Sequence, residues 1–357
     1  MVAGEFGGES ALPLHLSTVC AQRVPGELGL FEYARIDSPT RIAAQRELGL
    51  AVGARHSLLF NSGMSAIAAV LMSLSARDHV VCCDEVYEGT KRLLDQVLRR
   101  LGIEVDSFHQ ASEVPDLLRN ETRMIFGESI SNPLLQRLDV ASLARIKGNA
   151  LLVVDSTMTP MSSAQLLALG TDVVIHSTTK FIGGHHDAMG GAVLMDDDSL
   201  HDRFEFLQQT LGVGMSPFDC FLTSRGLKTL AVRFERQCRT ATELASWLGS
   251  QDFVEDVLFP ETESTDDDSG SGGDCAIISV RIVPGRMERF IQGLRLIKVS
   301  QSFGGVGTTI QVPRRMMDFK EDARDLDAKG LTDSLVRISV GLEAIEDIKN
   351  DFLGRHK

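Results

Sequence analysis

The chain has 357 residues, of which 43% are hydrophobic and 24% are charged, a composition that excludes wholesale disorder and predicts a globular protein of about two domains. Its 36 basic and 49 acidic residues give a net charge of −13, which argues against nucleic acid or an anionic membrane as a partner. Because the sequence has neither an apolar run of the roughly 18 residues that span a membrane nor the features of a signal peptide, we expect a cytoplasmic protein with no membrane partner.

Short apolar runs alternate with helix-like stretches between about residues 56 and 196. The pattern predicts helices from about Met64 and through KRLLDQVLRRLG (91–102). Continuous apolar runs with helices between them are typical of a mostly parallel sheet covered on both faces, so the fold class is α/β. Ligands of such sheets bind at the carboxyl ends of the strands. The predicted strands are HSLLF (56–60), HVVCC (79–83), RMIF (123–126), LLVVD (151–155), DVVIH (172–176) and GAVLM (191–195).

The organisation of the sequence changes after about residue 214. One long helical stretch is predicted over about 217–249, followed by an acidic, Ser/Gly-rich loop at 261–274 to which we assign no function. Strand-like and helix-like segments beyond the loop predict a smaller α+β domain. The predicted parts are an N-terminal segment (1–45), a large domain (46–214) and a C-terminal small domain (215–357).

The most informative segment is DVVIHSTTKFIGGHHDAMGG (172–191), in which Lys180 follows a predicted strand. A lysine just past a buried strand lies in partly apolar surroundings, which lower its pKa and free its amine to attack a carbonyl. The hydroxyls of Ser177 and Thr179 beside it are suited to holding a phosphate. An isolated loop lysine is more often an ordinary surface residue, so this segment needs support from the rest of the chain.

A second motif competes for these residues, because Ser177-Thr-Thr-Lys180 fits S-x-x-K, the serine-acylation signature of β-lactamases and penicillin-binding proteins. That chemistry also uses S-D-N and K-T-G motifs, which this sequence lacks. We therefore disfavour a serine acyltransferase.

Two further positions have the character of a ligand site. Asp155 ends a predicted strand, where a carboxylate is suited to pairing with a protonated ring nitrogen. Gly63 and Met64 follow a predicted strand and begin a predicted helix, where backbone N–H groups can hold an anion. Taken singly, each feature also fits a turn or a helix cap.

Nine short blocks, taken together and in order, resemble the pyridoxal-phosphate enzymes of cysteine and methionine metabolism. This family includes cystathionine γ-synthase, cystathionine γ- and β-lyases, methionine γ-lyase and the O-acylhomoserine sulfhydrylases. The resemblance covers about Tyr33 to Glu343 and implies a fold type I, aspartate aminotransferase-like architecture with pyridoxal 5'-phosphate as cofactor. The blocks are YARIDSPTR (33–41), NSGMSAI (61–67), DEVYEGT (84–90), ESISNP (128–133), VVDSTMTP (153–160), HSTTKFIGGHHD (176–187), SRGLKTLAVR (224–233), SQSFGGV (300–306) and VRISVGLE (336–343).

The resemblance implies roles for the residues around the cofactor. Lys180 binds the cofactor aldehyde covalently and, once freed, carries protons. Asp155 pairs with the pyridinium nitrogen, so that the ring can act as an electron sink. Tyr87 stacks on the ring and assists proton transfer. The residues implied at the phosphate are Gly63, Met64, Ser177 and Thr179.

The resemblance also implies an assembly. Tyr33 and Arg35 match the family's Tyr-x-Arg, whose side chains reach the phosphate of a neighbouring subunit. Residues 1–45 are then an arm that completes a neighbour's site, and the expected assembly is a homotetramer built as a pair of dimers.

A second group of residues is implied at the amino-acid substrate. Arg337 grips the substrate carboxylate through a two-pronged hydrogen bond, with Ser302 beside it. Asn132 contacts either the cofactor's phenolic oxygen or the substrate carboxylate. Gln301 precedes the serine, at a position that tunes specificity in the family. Arg337 stands within apolar VRISV, where an unpaired buried guanidinium would be costly.

Several residues depart from the family pattern and leave the particular reaction open. Ser156 replaces the Asn of Asp-Asn-Thr, and Phe303 adds bulk near the substrate. Gln301 stands where typical cystathionine γ-lyases have glutamate, so it cannot pair as an anion with a distal ammonium group. Methionine γ-lyases carry cysteine at the position of Gly89, and Gly307 replaces a family glutamate.

A metal site is the less favoured interpretation of the remaining polar residues. His176, His185, His186 and Asp187 are metal-ligand types close together, but the matching family segment holds no metal, so we expect none. The six cysteines form no C-x-x-C pair, which predicts reduced thiols without a disulfide framework or a zinc site.

The sequence therefore predicts an enzyme of transsulfuration and amino-acid biosynthesis that eliminates or replaces a group at Cγ or Cβ of an amino acid. The motif set favours γ-chemistry, as in cystathionine γ-synthase and γ-lyase. The alternatives are a cystathionine β-lyase, an O-acylhomoserine sulfhydrylase, and a homologue that binds the cofactor without catalysis.

Overall fold

The computed structural model describes residues 10–354 except 28, 261–273, 318, 320 and 321. The predicted acidic loop at 261–274 thus lies almost wholly outside the described residues. The chain forms two compact units: the first is Met1–Ser129 with Leu138–Lys228, and the second is Ile130–Arg137 with Thr229–Lys357. The division into residues 1–45, 46–214 and 215–357 stays a prediction.

The first unit is built on a seven-stranded sheet in the order β1-β7-β6-β5-β4-β2-β3. All pairings are parallel except those of β7, which runs antiparallel to both of its neighbours. The mostly parallel sheet is confirmed, because apolar runs without alternation are stable only when both faces are covered. The strands are β1 (His56–Phe60), β2 (His79–Cys83), β3 (Glu104–Phe108), β4 (Thr122–Glu128), β5 (Leu151–Asp155), β6 (Val173–His176) and β7 (Gly191–Met195).

Helices pack against this sheet, and most residues of its central strands β4, β5 and β6 are buried. Phe126, Val153 and Ile175 lie in one apolar cluster, where each buried side chain of this size contributes about 1.5–3 kcal/mol to the free energy of unfolding. The helices are α1 (Pro39–Val52), α2 (Gly63–Leu71), α3 (Glu88–Leu93), α4 (Val114–Leu117), α5 (Val140–Ile146), α6 (Ser163–Ala168), α7 (Asp198–Leu211) and α8 (Pro217–Leu227). A π turn (Leu94–Leu98) and a 3-10 turn (Arg99–Leu101) extend α3.

The single helix predicted over 217–249 is wrong, because two helices occupy that stretch. The first is α8, and the second, α9, spans Leu230–Leu248. Thr229 separates them with non-helical angles (φ −117°, ψ 5°), and its hydroxyl accepts a hydrogen bond from Arg233 Nε at 3.0 Å. A β-branched residue whose side chain bonds locally is suited to such a break.

The second unit contains a five-stranded sheet in the order β10-β11-β12-β9-β8. Along β12 the side chains alternate: Val336 and Ile338 join an apolar cluster with α9 and α13, so Arg337 and Ser339 lie on the opposite face. No described helix is long and apolar enough to cross a bilayer. The elements are β8 (Val254–Leu258), β9 (Ile277–Ile282), β10 (Lys298–Val299), β11 (Thr309–Gln311), β12 (Leu335–Ser339), α10 (Met287–Gln292), α11 (Pro313–Met316), α12 (Ala323–Ala328) and α13 (Ile345–Phe352).

Candidate active site

Three neighbouring parallel strands of the first unit end in polar residues. Strand β4 ends at Glu128, β5 at Asp155 and β6 at His176, and Lys180 lies in the turn after β6. Glu128 pairs directly with Asp155 in the register of the sheet. The carboxyl end of the sheet, where ligands of α/β proteins bind, thus carries two carboxyl groups and a lysine.

Asp155 is held in place by Thr157. Its Oδ1 accepts hydrogen bonds from the Thr157 backbone N–H at 2.9 Å and from the Thr157 hydroxyl at 2.6 Å. Burial raises the pKa of Asp155, while the Thr157 hydrogen bonds and the charge of Lys180 act in the opposite direction. The lysine therefore lies close enough to act electrostatically on the carboxyl group.

The turn after β6 fixes the backbone of Lys180. Its N–H donates to Ser177 O at 3.1 Å, and its carbonyl accepts from Gly184 N at 2.8 Å. The Ser177 N–H donates to the Thr157 hydroxyl at 2.8 Å. Thr157 therefore connects the turn that carries Lys180 with the carboxyl group of Asp155.

The start of α2 provides an anion site. Ser62 and Ser65 form a capping box, and the amides of Gly63 and Met64 in the first turn have no partner within the helix. A Cβ at Gly63 would lie 2.9 Å from Ser177 Cβ, so only glycine lets the Ser177 side chain approach the helix start. Gly63, Met64 and Ser177 are thereby brought together, while the Thr179 hydroxyl is engaged with the backbone of Gly190.

Tyr87 borders the same place. Tyr87 is 43% exposed, and a Cβ at Gly89 would lie 2.6 Å from Tyr87 Cε1 and 2.7 Å from Met64 Sδ. The ring and the methionine thus share the space that the glycine leaves open. The predicted ring-stacking residue is therefore next to the predicted phosphate site.

Tyr33 and Arg35 are exposed. The Arg35 guanidinium lies 5.5 Å from the centre of the Tyr33 ring and donates to Gln209 O at 2.8 Å. Their backbone is fixed by Arg41, whose buried guanidinium donates to Ala34 O at 2.9 Å and Ile36 O at 2.7 Å. Both side chains are thus presented on the surface.

The second unit brings Arg337, Asn132 and Ser302 together. Arg337 Nη1 donates to Asn132 Oδ1 at 2.8 Å, and Nη2 donates to Ser302 O at 2.7 Å. Arg337 is 3% exposed, and its guanidinium carbon lies 5.0 Å from the centre of the Phe303 ring. Burial lowers the pKa of Arg337 to about 10. Gln301 is exposed and instead donates to Met316 O at 2.8 Å.

The chain matches a known protein family over almost its whole length. The profile of the family "Cys/Met metabolism PLP-dependent enzyme" matches residues 5–354. The chain belongs to this family. Its cofactor is pyridoxal 5'-phosphate, as the resemblance implied.

The relatives match over almost the whole chain. Cystathionine γ-lyase of Bos taurus is 35% identical, covering 95% of this chain and 86% of its own length. Cystathionine β-lyase of Coxiella burnetii is 34% identical, covering 96% and 92%. The crystal structure of cystathionine γ-lyase from Lactobacillus plantarum complexed with L-serine has a TM-score of 0.90 at 29% identity and covers 98% of this chain and 94% of its own. The predicted fold type I architecture is confirmed.

The residues of the first unit fit the cofactor in chemical type. The α2 amides and Ser177 suit a phosphate, Asp155 suits a protonated ring nitrogen, and Lys180 suits an aldehyde. The close approach of Gly63 to Ser177 leaves a cradle that a side chain would fill. The individual roles stay predictions.

Three supporting residues were not singled out by sequence reasoning. Glu128 and Thr157 stand within matching blocks, and Glu128 lies two positions after the predicted strand RMIF (123–126), which was an available signal. Arg41 ends the matching block YARIDSPTR (33–41), but its burial was not expected, because an arginine on a helix is usually exposed. The structure shows it 2% exposed, with backbone carbonyls as its partners.

Two of the histidines considered as metal ligands have other partners. His176 is buried beside Ser163, with Nε2 2.7 Å from its hydroxyl, and burial lowers the pKa of His176 to about 4. His185 Nδ1 lies 2.7 Å from Gly183 O. Among the described residues, no group of three or more His, Cys, Asp or Glu is arranged to hold a metal ion; the expected absence of a metal stays a prediction.

Proposed function

We propose that the chain is a carbon–sulfur lyase, or a γ-replacement enzyme, that acts on cystathionine or a related γ-substituted amino acid. The observation that carries the proposal is the placement of Lys180 within electrostatic reach of Asp155 at the carboxyl end of the sheet. Membership of the family and relatives named cystathionine γ-lyase support it.

The residues of the first unit hold the cofactor. We assign Asp155 to the ring nitrogen, Gly63, Met64 and Ser177 to the phosphate, and Thr179 to the same end of the cofactor. When bound, the cofactor supplies a ring that withdraws electrons from the reacting carbon. Thr157 keeps Asp155 ionised by donating two hydrogen bonds to it.

Protons are moved by Lys180 and Tyr87. The Lys180 amine takes the proton from the substrate Cα and returns protons later in the reaction. Tyr87 covers the cofactor ring and assists that proton transfer. Its partial exposure beside Met64, next to the phosphate site, supports this role.

Arg337 binds the substrate carboxylate. Its two Nη groups donate hydrogen bonds to Asn132 Oδ1 and Ser302 O. Two such donors side by side match the two oxygens of a carboxylate. Because the guanidinium is buried against Phe303, the attraction for an anion is stronger than it would be in water. Because Asn132 is in contact with Arg337, we assign Asn132 to the substrate carboxylate and not to the phenolic oxygen of the cofactor.

A β-elimination is the second candidate, favoured by the Coxiella burnetii relative named cystathionine β-lyase, whose 34% identity is nearly that of the γ-lyases. Turnover of cystathionine with product identification by mass spectrometry separates the two. Cysteine, 2-oxobutanoate and ammonia indicate γ-elimination, whereas homocysteine, pyruvate and ammonia indicate β-elimination.

A panel of further amino acids, assayed in the same way, tests the remaining alternatives. An O-acylhomoserine offered with a thiol tests replacement, with Lys180→Ala as the inactive control. A lack of turnover on every compound would contradict an enzymatic role and favour the homologue that binds cofactor without catalysis.

We also propose that the active protein is a homotetramer with shared sites, in which Tyr33 and Arg35 reach a neighbour's phosphate. Their exposure supports this role. A fully active monomer in light scattering would contradict it. A cytoplasmic location is proposed as well, because all six cysteines are free, as is usual in a reducing compartment; cell fractionation tests it.

A further inference from the structure

A second carboxyl group lies beside the one assigned to the cofactor ring. Glu128 is the last residue of β4 and pairs in register with Asp155, the last residue of β5. Residues paired in this way on neighbouring strands lie about 4.8 Å apart and point to the same face of the sheet. Glu128 is 9% exposed, so its carboxyl group is largely removed from water.

This carboxyl group holds the backbone of Tyr87. Glu128 Oε1 accepts the Tyr87 N–H at 2.6 Å. Tyr87 immediately precedes α3, and no side chain caps the start of that helix. The hydrogen bond therefore fixes the chain at the point from which the Tyr87 ring extends beside Met64.

The surroundings of Glu128 disfavour a negative charge on it. The charged groups that act most strongly on it are acidic, Asp155 on β5 and Glu85 in the loop after β2, and burial with the charge of Asp155 raises the pKa of Glu128 well above its usual range. The buried thiol of Cys82 and the partly buried thiol of Cys83 on β2 also interact with it. None of these neighbours supplies a positive charge.

If only one carboxyl group of the Glu128–Asp155 pair is ionised, Asp155 is the better site for the negative charge. It receives two hydrogen bonds from Thr157 and is favoured by the charge of Lys180, whereas the hydrogen bond that favours an ionised Glu128 comes from one backbone N–H. Two adjacent buried carboxylates repel each other, so ionising one keeps the proton on the other.

We propose that Glu128 is a positioning residue that acts as an uncharged carboxyl group, holding Tyr87 in place and leaving the negative charge of the pair on Asp155. The inference rests on the proposed function only in that Tyr87 covers the cofactor. Its two parts are separable: the hydrogen bond requires an acceptor at position 128, and the charge distribution requires that acceptor to be neutral.

The test compares Glu128→Gln, which keeps a neutral acceptor, with Glu128→Leu, which removes it. The protein has only two tyrosines, so fluorotyrosine labelling gives two ¹⁹F resonances, assigned with Tyr33→Phe. In cofactor-free protein we expect E128Q to leave the Tyr87 resonance in place and E128L to shift it. Because no substrate or cofactor is present, this result does not depend on the proposed reaction.

Cofactor affinity gives the second readout. Across mildly acidic to mildly basic pH, the dissociation constant of pyridoxal 5'-phosphate in E128Q is expected to stay within about twofold of wild type, and E128L to weaken it roughly tenfold. Glu121→Gln, which neutralises an exposed glutamate, is the matched control for net charge.

Two results would overturn the inference. If E128Q weakens cofactor binding as much as E128L, or shifts its pH dependence, the group is ionised in the working protein. If E128L leaves both the Tyr87 resonance and the affinity unchanged, Glu128 does not position Tyr87. Should E128L fail to fold, Glu128→Met, which also lacks an oxygen acceptor, replaces it in the test of Tyr87 positioning, while E128Q and its pH dependence test the charge.

Discussion

Thr157 and Asp155 form a short, two-point contact in which both the backbone N–H and the hydroxyl of Thr157 donate to a single carboxylate oxygen, at 2.9 and 2.6 Å. The hydroxyl in turn accepts the N–H of Ser177 at 2.8 Å. One threonine therefore orients the carboxyl group assigned to the cofactor ring and the serine assigned to its phosphate.

Thr157→Val should weaken cofactor binding at low pH. Burial raises the pKa of Asp155 and the Thr157 hydrogen bonds lower it, so removing the hydroxyl raises that pKa further. The pH below which affinity is lost should then move upward by roughly one unit. The measurement is the dissociation constant of the cofactor against pH. Thr157→Ser keeps the hydroxyl and should resemble wild type; an unshifted profile in T157V would contradict the role given to this contact.

Gly89→Ala should displace the Tyr87 ring. The new Cβ would lie 2.6 Å from Tyr87 Cε1 and 2.7 Å from Met64 Sδ, closer than any stable contact. We expect cofactor affinity to fall roughly tenfold, measured by titrating cofactor-free protein. Gly249→Ala is the control, because its Cβ would meet no atom closer than 3.6 Å. Equal affinities for the two variants would show that Tyr87 adapts or does not contribute.

Arg41→Met should destabilise the segment that presents Tyr33 and Arg35. The buried guanidinium donates to Ala34 O and Ile36 O, and removing it leaves those carbonyls without donors at a cost of about 2 kcal/mol or more. The melting temperature and the oligomeric state in light scattering report the effect. Arg46→Met, an exposed position on the same helix, should change neither. An intact tetramer of normal stability in R41M would count against this view.

Arg337→Lys should raise KM far more than it lowers kcat. Lysine cannot reproduce the two-pronged contact with a carboxylate, so a loss of roughly 100-fold in kcat/KM is expected. In wild type, burial lowers the pKa of Arg337 to about 10. The positive charge is therefore complete at neutral pH, and substrate affinity should fall as pH rises through that value. A KM unchanged in R337K would remove this residue from the carboxylate site.

The strands were the part of the fold most accessible from sequence. HSLLF, HVVCC and LLVVD appear at the predicted bounds, because unbroken apolar runs flanked by turns have few alternatives in a buried sheet. Strand β3, EVDSF, was not predicted, since three of its five residues are polar and it lies at the edge of the sheet. The break at Thr229 depends on a local side-chain contact that periodicity does not show.

The residues of the candidate active site could be predicted from the sequence only in part. Lys180 and Asp155 were found because a charged residue after an apolar run is a local signal. The Glu128–Asp155 pair depends on strand order, which places β4 next to β5. The contact between Arg337 and Asn132 joins residues 205 positions apart. Such contacts are created by the tertiary fold, so the local pattern of polar and apolar residues does not predict them.

The most direct test of the account is to identify the lysine that binds the cofactor. Borohydride reduction of the cofactor-loaded protein converts the covalent link into a stable amine, and peptide mass spectrometry then locates it. We expect the cofactor mass on the peptide containing Lys180 and its loss in Lys180→Ala. A cofactor attached to another lysine in the wild-type protein, or no attachment at all, would contradict the central claim.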